Sequence, residues 1–146
     1  MNVGKLCSRD LVSASASTPL SDVAALMHRR GVGAVVITKA PIDQPVAVGI
    51  VTDRDIMRAQ LTRTADFNRL SAADVMTRDP LVLEEHHSVE DAILRMRERG
   101  VRRAPVMDAH GQLVGMISLD DLVGQLAYEL GNLARVLERQ PRRHDG

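Results

Sequence analysis

Two stretches of the chain each place a hydroxyl three residues before a carboxylate. GIVTDRD contains Thr52 and Asp55, and GMISLDD contains Ser118 and Asp121. This spacing fits a capping box, in which the hydroxyl and the acid satisfy backbone N–H groups at the start of a helix. An ionised carboxylate at the same place could instead accept hydrogen bonds from the two neighbouring hydroxyls of a ribose. The residues alone leave both interpretations open.

The two stretches belong to an internal repeat. Seven residues recur 69 positions later and three more recur 66 positions later, after a loop that differs in length. The pairs are Arg9/Arg78, Asp10/Asp79, Asp22/Asp91, Met27/Met96, Arg30/Arg99, Gly31/Gly100, Val32/Val101, Val48/Val114, Gly49/Gly115 and Asp55/Asp121. Because the apolar positions between these identities keep their character, the repeat indicates one local structure formed twice.

Each copy predicts an amphipathic helix, because apolar residues recur at i, i+3, i+4 and i+7. These residues are Leu20, Val23, Ala24 and Met27 in the first copy, and Val89, Ala92, Ile93 and Met96 in the second. Thr18 and Ser88 mark the helix starts. Gly31 and Gly100 mark the helix ends.

Short apolar runs follow each of these glycines, and they are too short for helices and too apolar for loops. We therefore expect strands at 34–37, 46–51, 104–107 and 113–117, with short extended segments before each helix at 11–15 and 80–84. A further helix opens at Thr52 and another at Ser118. Residues 60–70 join the two copies.

The stretch from Leu119 to Gln140 predicts one long helix with an apolar seam, although Gly124 and Gly131 weaken it. Two sets of residues recur every seven positions: Leu119, Leu126 and Leu133, and Val123, Leu130 and Leu137. The seam either packs over its own module or contacts a second copy in a dimer. Residues 141–146 are expected to form a disordered tail.

Composition excludes several classes of partner. The 146 residues carry 19 basic and 19 acidic side chains, and this balance argues against a general polyanion binder. Phe67 and Tyr128 are the only aromatic residues, which argues against the base stacking used by single-strand binders. Cys7 is the one cysteine, and no apolar run reaches the length of a membrane span. We expect a cytoplasmic protein that binds neither membrane nor nucleic acid.

The sequence offers no arrangement suited to catalysis. It lacks a Walker loop and a GxGxxG fingerprint, and no pair of histidines has the i, i+4 spacing of a helical metal site. The serines at 13, 15 and 17 have no base or elbow motif nearby. We expect no catalytic residue, no metal site and no catalytic cofactor.

Four motifs together resemble a known family: GVGAVVI with VGIVTDRDI in the first copy, and GVRRAPVMD with VGMISLDDL in the second. Over about residues 3–125, the chain resembles a tandem pair of cystathionine-beta-synthase (CBS) repeats, the arrangement called a Bateman module. The resemblance implies an α/β (α+β) fold, in which two β-α-β-β-α repeats pack with pseudo-twofold symmetry and leave two clefts. We assign residues 1–66 to the first repeat, 67–128 to the second, and 129–146 to a C-terminal helix and tail.

The resemblance also implies that the clefts bind an adenosine-containing ligand such as AMP, ADP, ATP, NAD or S-adenosylmethionine. It implies ribose contacts from Thr52, Asp55, Ser118 and Asp121, and adenine contacts from Gly33, Ala34, Val35, Arg103 and Ala104. Arg54, Arg102 and Arg103 are the candidate phosphate ligands, because a guanidinium fork suits phosphate oxygens. Asp120 occupies in the second copy the position that Arg54 occupies in the first. Because a carboxylate beside a phosphate weakens binding, we expect the cleft with Thr52 and Asp55 to be the better nucleotide site.

Two functions follow from these observations. The first is a non-catalytic sensor that binds an adenine nucleotide and reports it to a protein partner that the sequence does not identify. The second is a structural dimerisation module whose ligand clefts are vestigial. In either case we expect a homodimer, formed through the faces of the repeats, the C-terminal helix, or both.

Overall fold

The computed structural model describes residues 1–39, 45–62 and 67–139. Helix α1 (Val3–Leu6) leads to the first copy, which contains strand β1 (Ser13–Ser15), helix α2 (Leu20–Arg30), strands β2 (Ala34–Lys39) and β3 (Val46–Thr52), and helix α3 (Asp53–Thr62). A 3-10 turn (Phe67–Arg69), helix α4 (Ala72–Val75) and strand β4 (Thr77–Arg78) lead to the second copy. That copy contains strand β5 (Leu83–Glu84), helix α5 (Val89–Arg99), strands β6 (Arg103–Met107) and β7 (Leu113–Ser118), and helix α6 (Leu119–Arg139). The predicted β-α-β-β-α order is confirmed in both copies.

The strands form two sheets with the orders β1-β2-β3-β4 and β5-β6-β7. In each sheet the first two strands are parallel and the next pair is antiparallel. Val36 lies opposite Ile50 in the first sheet, and the equivalent residues Pro105 and Met116 lie opposite each other in the second. Because even the register is preserved, the repeat in the sequence is also a structural repeat.

Each sheet is completed by the segment that precedes the other copy. Strand β4 precedes the second copy but pairs with β3, where Gly49 lies opposite Arg78. Ser8 precedes the first copy but exchanges two backbone hydrogen bonds, both 2.9 Å, with Met116 of β7. A Cβ atom at Gly115 would lie 2.2 Å from the carbonyl oxygen of Ser8, so this close approach of two backbones requires glycine.

The hydrophobic cores are exchanged in the same way. Leu70 and Met76, which precede the second copy, belong to the core of the first sheet. Val3 and Cys7, at the start of the chain, belong to the core of the second sheet. Neither repeat therefore buries its sheet with its own residues alone. The predicted repeat boundary after residue 66 falls beside residues outside those described, and it stays a prediction.

The ends of α2 and α5 match the glycine prediction, and the start of α5 matches the serine prediction. Gly31 and Gly100 both follow the last helical residue with φ of 64°, a left-handed conformation that glycine adopts without steric cost. The Ser88 hydroxyl accepts a hydrogen bond of 3.1 Å from the backbone N–H of Asp91. Local sequence is sufficient to set these three helix ends.

The prediction that Thr18 caps α2 is wrong. The helix begins at Leu20 with Pro19 as its N-cap residue and without a side-chain cap, and the Thr18 hydroxyl accepts a hydrogen bond from the N–H of Ser15 instead. The N–H of Leu20 donates to the carbonyl oxygen of Leu70 over 2.8 Å. A backbone group from the segment before the second copy therefore takes the place of a side-chain cap.

Helix α6 confirms the predicted long helix as far as Arg139. Gln140 and the predicted tail at 141–146 lie outside the described residues. Leu122 is the one buried residue of this helix, at 1% exposure, while the six heptad residues are 38–72% exposed. The module thus does not cover the apolar seam. Among the described residues, no helix combines the length and apolar character needed to cross a membrane.

Candidate functional site

Both hydroxyl–acid pairs form capping boxes. The N–H of Thr52 donates to Oδ2 of Asp55 over 2.9 Å, and the N–H of Asp55 donates to Oγ1 of Thr52 over 3.2 Å. Ser118 and Asp121 make the same two bonds at 2.9 and 3.1 Å. Each carboxylate thereby stabilises the start of a helix, α3 or α6. Its Oδ1 atom accepts no hydrogen bond from any residue that the structure describes, so capping leaves one oxygen for another partner.

A cleft of about 390 Å³, hereafter the main cleft, lies between the two copies. It is lined by Thr52 and Arg54 from the start of α3, by Arg102 and Arg103 around the start of β6, and by Ser118 at the end of β7. The size falls within the range of small-molecule sites. Asp55 and Asp121 are not among its lining residues. The structure thus brings together both hydroxyls and all three predicted phosphate ligands, but neither of the two predicted ribose acids lines this cleft.

We expected two separate clefts, one with Thr52 and Asp55 and the other with Ser118 and Asp121. The main cleft is instead lined by both hydroxyl residues, together with Arg54 and Asp120. The starts of α3 and α6 are held to the neighbouring segments by equivalent bonds: the N–H of Asp53 donates to the carbonyl of Gly33, and the N–H of Leu119 to that of Arg102. These bonds fix each helix start beside the segment that precedes the central strands of its own copy.

Part of the cleft wall is apolar. Its lining also includes Ile50, Pro80, Leu81, Val101 and Leu119, which could cover the faces of a flat base. Pro80 and Leu81 belong to the segment before β5, for which the sequence predicted only an extended conformation. The signal that could have identified them is their place in the repeat, directly after the Arg–Asp pair that both copies share.

The predicted adenine contacts divide into two groups. Ala34, Val35 and Ala104 are buried within β2 and β6, with at most 9% exposure, and they line neither the main cleft nor the second depression described below. Strand packing is sufficient to explain their apolar character. Arg103 lines the main cleft, whereas Gly33 lies outside it.

A second, more open depression includes Gly33, Val32, Asp53 and Ile56. Arg103 reaches it from the other copy: its Nη1 donates to the carbonyl oxygen of Gly33 over 3.4 Å. A Cβ atom at Gly33 would lie 3.0 Å from Nη2 of Arg103 and 3.3 Å from Oδ2 of Asp53. The absence of a side chain at Gly33 therefore admits the guanidinium, which joins the two copies.

The side chains at the main cleft include an excess of cations. Arg54, Arg99, Arg102 and Arg103 line it, against two acids, Asp53 and Asp120. None of these residues takes part in an ion pair within the described part of the chain. Two of these lining residues, Arg99 and Asp53, were not predicted from the sequence. The one signal in the sequence for Arg99 is that it is the repeat equivalent of Arg30.

A separate group, Glu84, His86 and His87, offers three possible metal ligands within 4.8 Å of one another. Nδ1 of His87, however, accepts a hydrogen bond of 3.0 Å from the N–H of Glu84. A neutral imidazole with an accepting Nδ1 carries its proton on Nε2, the nitrogen that faces the Glu84 carboxylate at 3.8 Å. That nitrogen has no free lone pair for a cation, so the group does not fit a metal site.

The amino-acid sequence matches a family and its curated members. The family model of the CBS domain matches residues 3–62 and 72–128. The CBS domain-containing protein YhcV of Bacillus subtilis is 30% identical over 120 residues, which cover 82% of this chain and 81% of the relative. Inosine-5'-monophosphate dehydrogenase of Thermoplasma acidophilum is 29% identical over 115 residues. The match covers 79% of this chain but only 21% of that enzyme.

Solved structures share the fold. The CBS-domain protein ATU1752 of Agrobacterium tumefaciens superimposes with a TM-score of 0.74 at 28% identity, covering 86% of this chain and 98% of the other. The CBS domain pair of protein MJ0100, solved with 5'-methylthioadenosine and S-adenosyl-L-methionine, gives a TM-score of 0.76 at 19% identity, covering 88% and 98%. Since both copies match the family model and the fold is that of CBS domain pairs, the chain belongs to the CBS-domain family.

Proposed function

We propose that this chain is a non-catalytic regulatory module that binds an adenosyl ligand in the main cleft. The observation that carries the proposal is the meeting of Thr52, Ser118 and three arginines at one opening beside an apolar wall. The hydroxyls and cations suit a ribose and a phosphate, and the wall suits a flat base. The protein MJ0100, which shares the fold, was solved with two adenosyl compounds, and this supports the same ligand class here.

In this proposal the base lies against Ile50, Leu81 and Val101, and the ribose lies near Thr52 and Ser118. The ribose hydroxyls donate to Oδ1 of Asp55 or Asp121, the oxygen that the capping box leaves unused. That contact requires the helix starts to shift toward the ligand, since neither acid lines the cleft as it stands. Asp53 and Asp120, which do line it, are the alternative acceptors.

Regulation follows from the position of the cleft. Its walls come from both copies, and Arg103 already joins them through the Gly33 carbonyl. A ligand that contacts both walls stabilises one relative placement of the two copies over others. The module would report that change to a protein partner in the cytoplasm.

A thermal-shift panel of AMP, ADP, ATP, NAD and S-adenosylmethionine tests the ligand class. A ligand at a hundred times its Kd stabilises the folded protein by about 2.7 kcal/mol. At about 2–4 °C per kcal/mol for a chain of this size, the melting temperature should rise by about 5–10 °C. No shift with any of the five compounds would contradict the proposal.

Asp55→Ala separates capping from ribose binding. We expect it to lower the melting temperature without ligand, because it removes a cap, and also to remove most of the ligand-induced rise. Asp74→Ala is the matched control, since Asp74 completes the capping box of α4 and does not line the cleft. It should lower the melting temperature but keep the ligand-induced rise. An undiminished rise in Asp55→Ala would assign the ribose to other acceptors.

The exposed seam of α6 favours a second role, self-association. Its six residues alternate at spacings of four and three, with Leu119, Leu126 and Leu133 in one set and Val123, Leu130 and Leu137 in the other. Such a seam packs against a helix with the same repeat, and within the described residues α6 is the one helix that has it. We therefore propose a second copy of this chain as the partner, with the two α6 helices in contact.

A further inference from the structure

The spacing of the apolar seam of α6 is the same in both directions along the helix. Its six residues are separated by 4, 3, 4, 3 and 4 positions. A second α6 that runs antiparallel therefore places every seam residue at the same height as a seam residue of the first copy. These pairs are Leu119 with Leu137, Val123 with Leu133, and Leu126 with Leu130. A parallel pair also uses all six residues, so the spacing alone leaves the direction open.

The two halves of α6 differ in how closely the module surrounds them. Leu122 is buried and Gln125 is half-buried, whereas every residue from Leu126 to Arg139 is exposed. The module thus covers α6 along its first two turns only. A parallel partner would bring a second module to that crowded end. An antiparallel partner brings only its exposed last turns, a helix of about 10–12 Å in diameter, and keeps the two modules at opposite ends of the pair.

The charges of α6 also differ between its halves. Residues 119–129 carry three acids and no base, namely Asp120, Asp121 and Glu129. Residues 130–139 carry two bases and one acid, namely Arg135, Arg139 and Glu138. A parallel pair sets three negative charges beside three others, whereas an antiparallel pair sets them beside a half with a net charge of +1. The two helix dipoles also attract each other when the helices are antiparallel. Charge complementarity therefore favours the antiparallel direction.

The start of the seam is also part of the main cleft. Leu119 and Asp120 both line the cleft, and Leu119 is 38% exposed. In an antiparallel pair, Leu137 of the second copy lies at the height of Leu119. The last turns of the second α6 would therefore cover the rim of the cleft at this residue.

Resting on the proposed self-association, we propose that two α6 helices pair in the antiparallel direction, with their twofold axis at the height of Tyr128. Each chain then contributes Leu137 to the rim of the main cleft of the other. Dimerisation and occupation of the cleft are coupled, because both depend on the surface around Leu119.

Cysteine cross-linking distinguishes the two directions. Leu119→Cys and Leu137→Cys are made as separate variants and co-expressed with different affinity tags. In an antiparallel pair the two cysteines lie together, so the co-expressed chains should form a mixed disulfide that mass spectrometry identifies. Neither variant should cross-link with itself, since the two copies of residue 137 would lie about 27 Å apart along the pair.

Two controls accompany the cross-linking. The wild-type chain has only Cys7, which is 9% exposed, and it should not cross-link. Tyr128→Cys is the matched control: Tyr128 is 64% exposed and lies at the height of its own equivalent, but it points roughly 160° away from Leu130 and should not cross-link. Sedimentation equilibrium establishes which variants remain dimers.

A second measurement leaves the seam unchanged. Glu138 is an exposed residue near the end of α6, outside the seam. A spin label on Glu138→Cys reports the distance between the two copies by pulsed electron paramagnetic resonance. An antiparallel pair separates the two labels by about 30 Å along its length, whereas a parallel pair holds them about one helix diameter apart.

The outcomes separate the direction of pairing from self-association itself. A cross-link of Leu137→Cys with itself, or a label distance of about one helix diameter, would overturn the antiparallel direction while the dimer stands. A dimer in which none of the cysteines cross-links would overturn pairing through α6. A monomeric wild-type chain would overturn the proposed self-association, and the antiparallel pair falls with it.

Discussion

Truncation of one leucine in the α6 seam should weaken the proposed dimer strongly. Leu130 is 66% exposed in the single chain. Leu130→Ala removes three carbon atoms, each of which contributes about 0.8 kcal/mol when buried. Scaled by the exposed fraction, the loss is about 1.6 kcal/mol per copy, or about 3 kcal/mol for the two copies in a dimer. A change of that size weakens association roughly 150-fold.

Sedimentation equilibrium measures this change directly. The wild-type chain should sediment as twice the protomer mass of 16.0 kDa at micromolar concentrations, and Leu130→Ala should sediment as a monomer over the same range. Tyr128→Ala is the matched control. Tyr128 is 64% exposed, nearly the same as Leu130, but two residues along a helix place it roughly 160° away, outside the seam.

Three results would refute dimerisation through the α6 seam. If the wild-type chain is a monomer at these concentrations, the exposed seam is not sufficient for self-association. If Tyr128→Ala dissociates the dimer and Leu130→Ala does not, the chain dimerises through another surface. A dimer unaffected by either substitution would point to the faces of the repeats.

Two further predictions concern stability. Gly115→Ala should lower the free energy of unfolding by about 2 kcal/mol or more, because its Cβ atom would displace Ser8 and break two backbone hydrogen bonds. Gly124→Ala, whose Cβ atom would have no neighbour within 4 Å, should stabilise α6 by about 1 kcal/mol. Urea denaturation at one protein concentration measures both changes, and equal effects would contradict the close approach of Gly115 and Ser8. Burial raises the pKa of the Cys7 thiol above its ordinary value of 9.0, so the folded state keeps its proton where the unfolded state loses it. Stability should therefore fall as pH rises past about 9, and Cys7→Ala should reduce this fall in denaturation midpoints measured from pH 7.5 to 10.5. An identical pH dependence in that variant would show that other groups cause it.

The sequence by itself determined the local elements. The doubled apolar stripes, Ser88 and the two glycines Gly31 and Gly100 predicted helices that the structure contains, and the short apolar runs predicted its central strands. These features depend on hydrogen bonds and side-chain spacings within a few residues, so a local pattern is sufficient to specify them. The capping boxes of Thr52 and Ser118 are local for the same reason.

The start of α2 and the lining of the cleft both depend on contacts between residues that are distant in the sequence. The start of α2 is held by Leu70 rather than by Thr18, because a segment fifty residues away supplies the acceptor. Asp55 and Asp121 are equivalent residues of the repeat and were predicted to contact a ligand, yet neither lines the cleft. Arg99 does line it, although no motif around Arg99 in the sequence predicted a site there. Which side chains face an opening depends on how two sheets pack, and that packing is set by the whole chain.

The sequence therefore specified two copies of one unit and the chemical groups that each copy carries. The tertiary structure decided that each copy is completed by the segment preceding the other, and that the starts of α3 and α6 open into a single cleft. It also decided that the seam of α6 remains exposed. A heptad pattern predicts that a helix packs against a partner, but it does not specify where that partner lies. Local periodicity records which face of an element is apolar, and only long-range packing determines what that face meets.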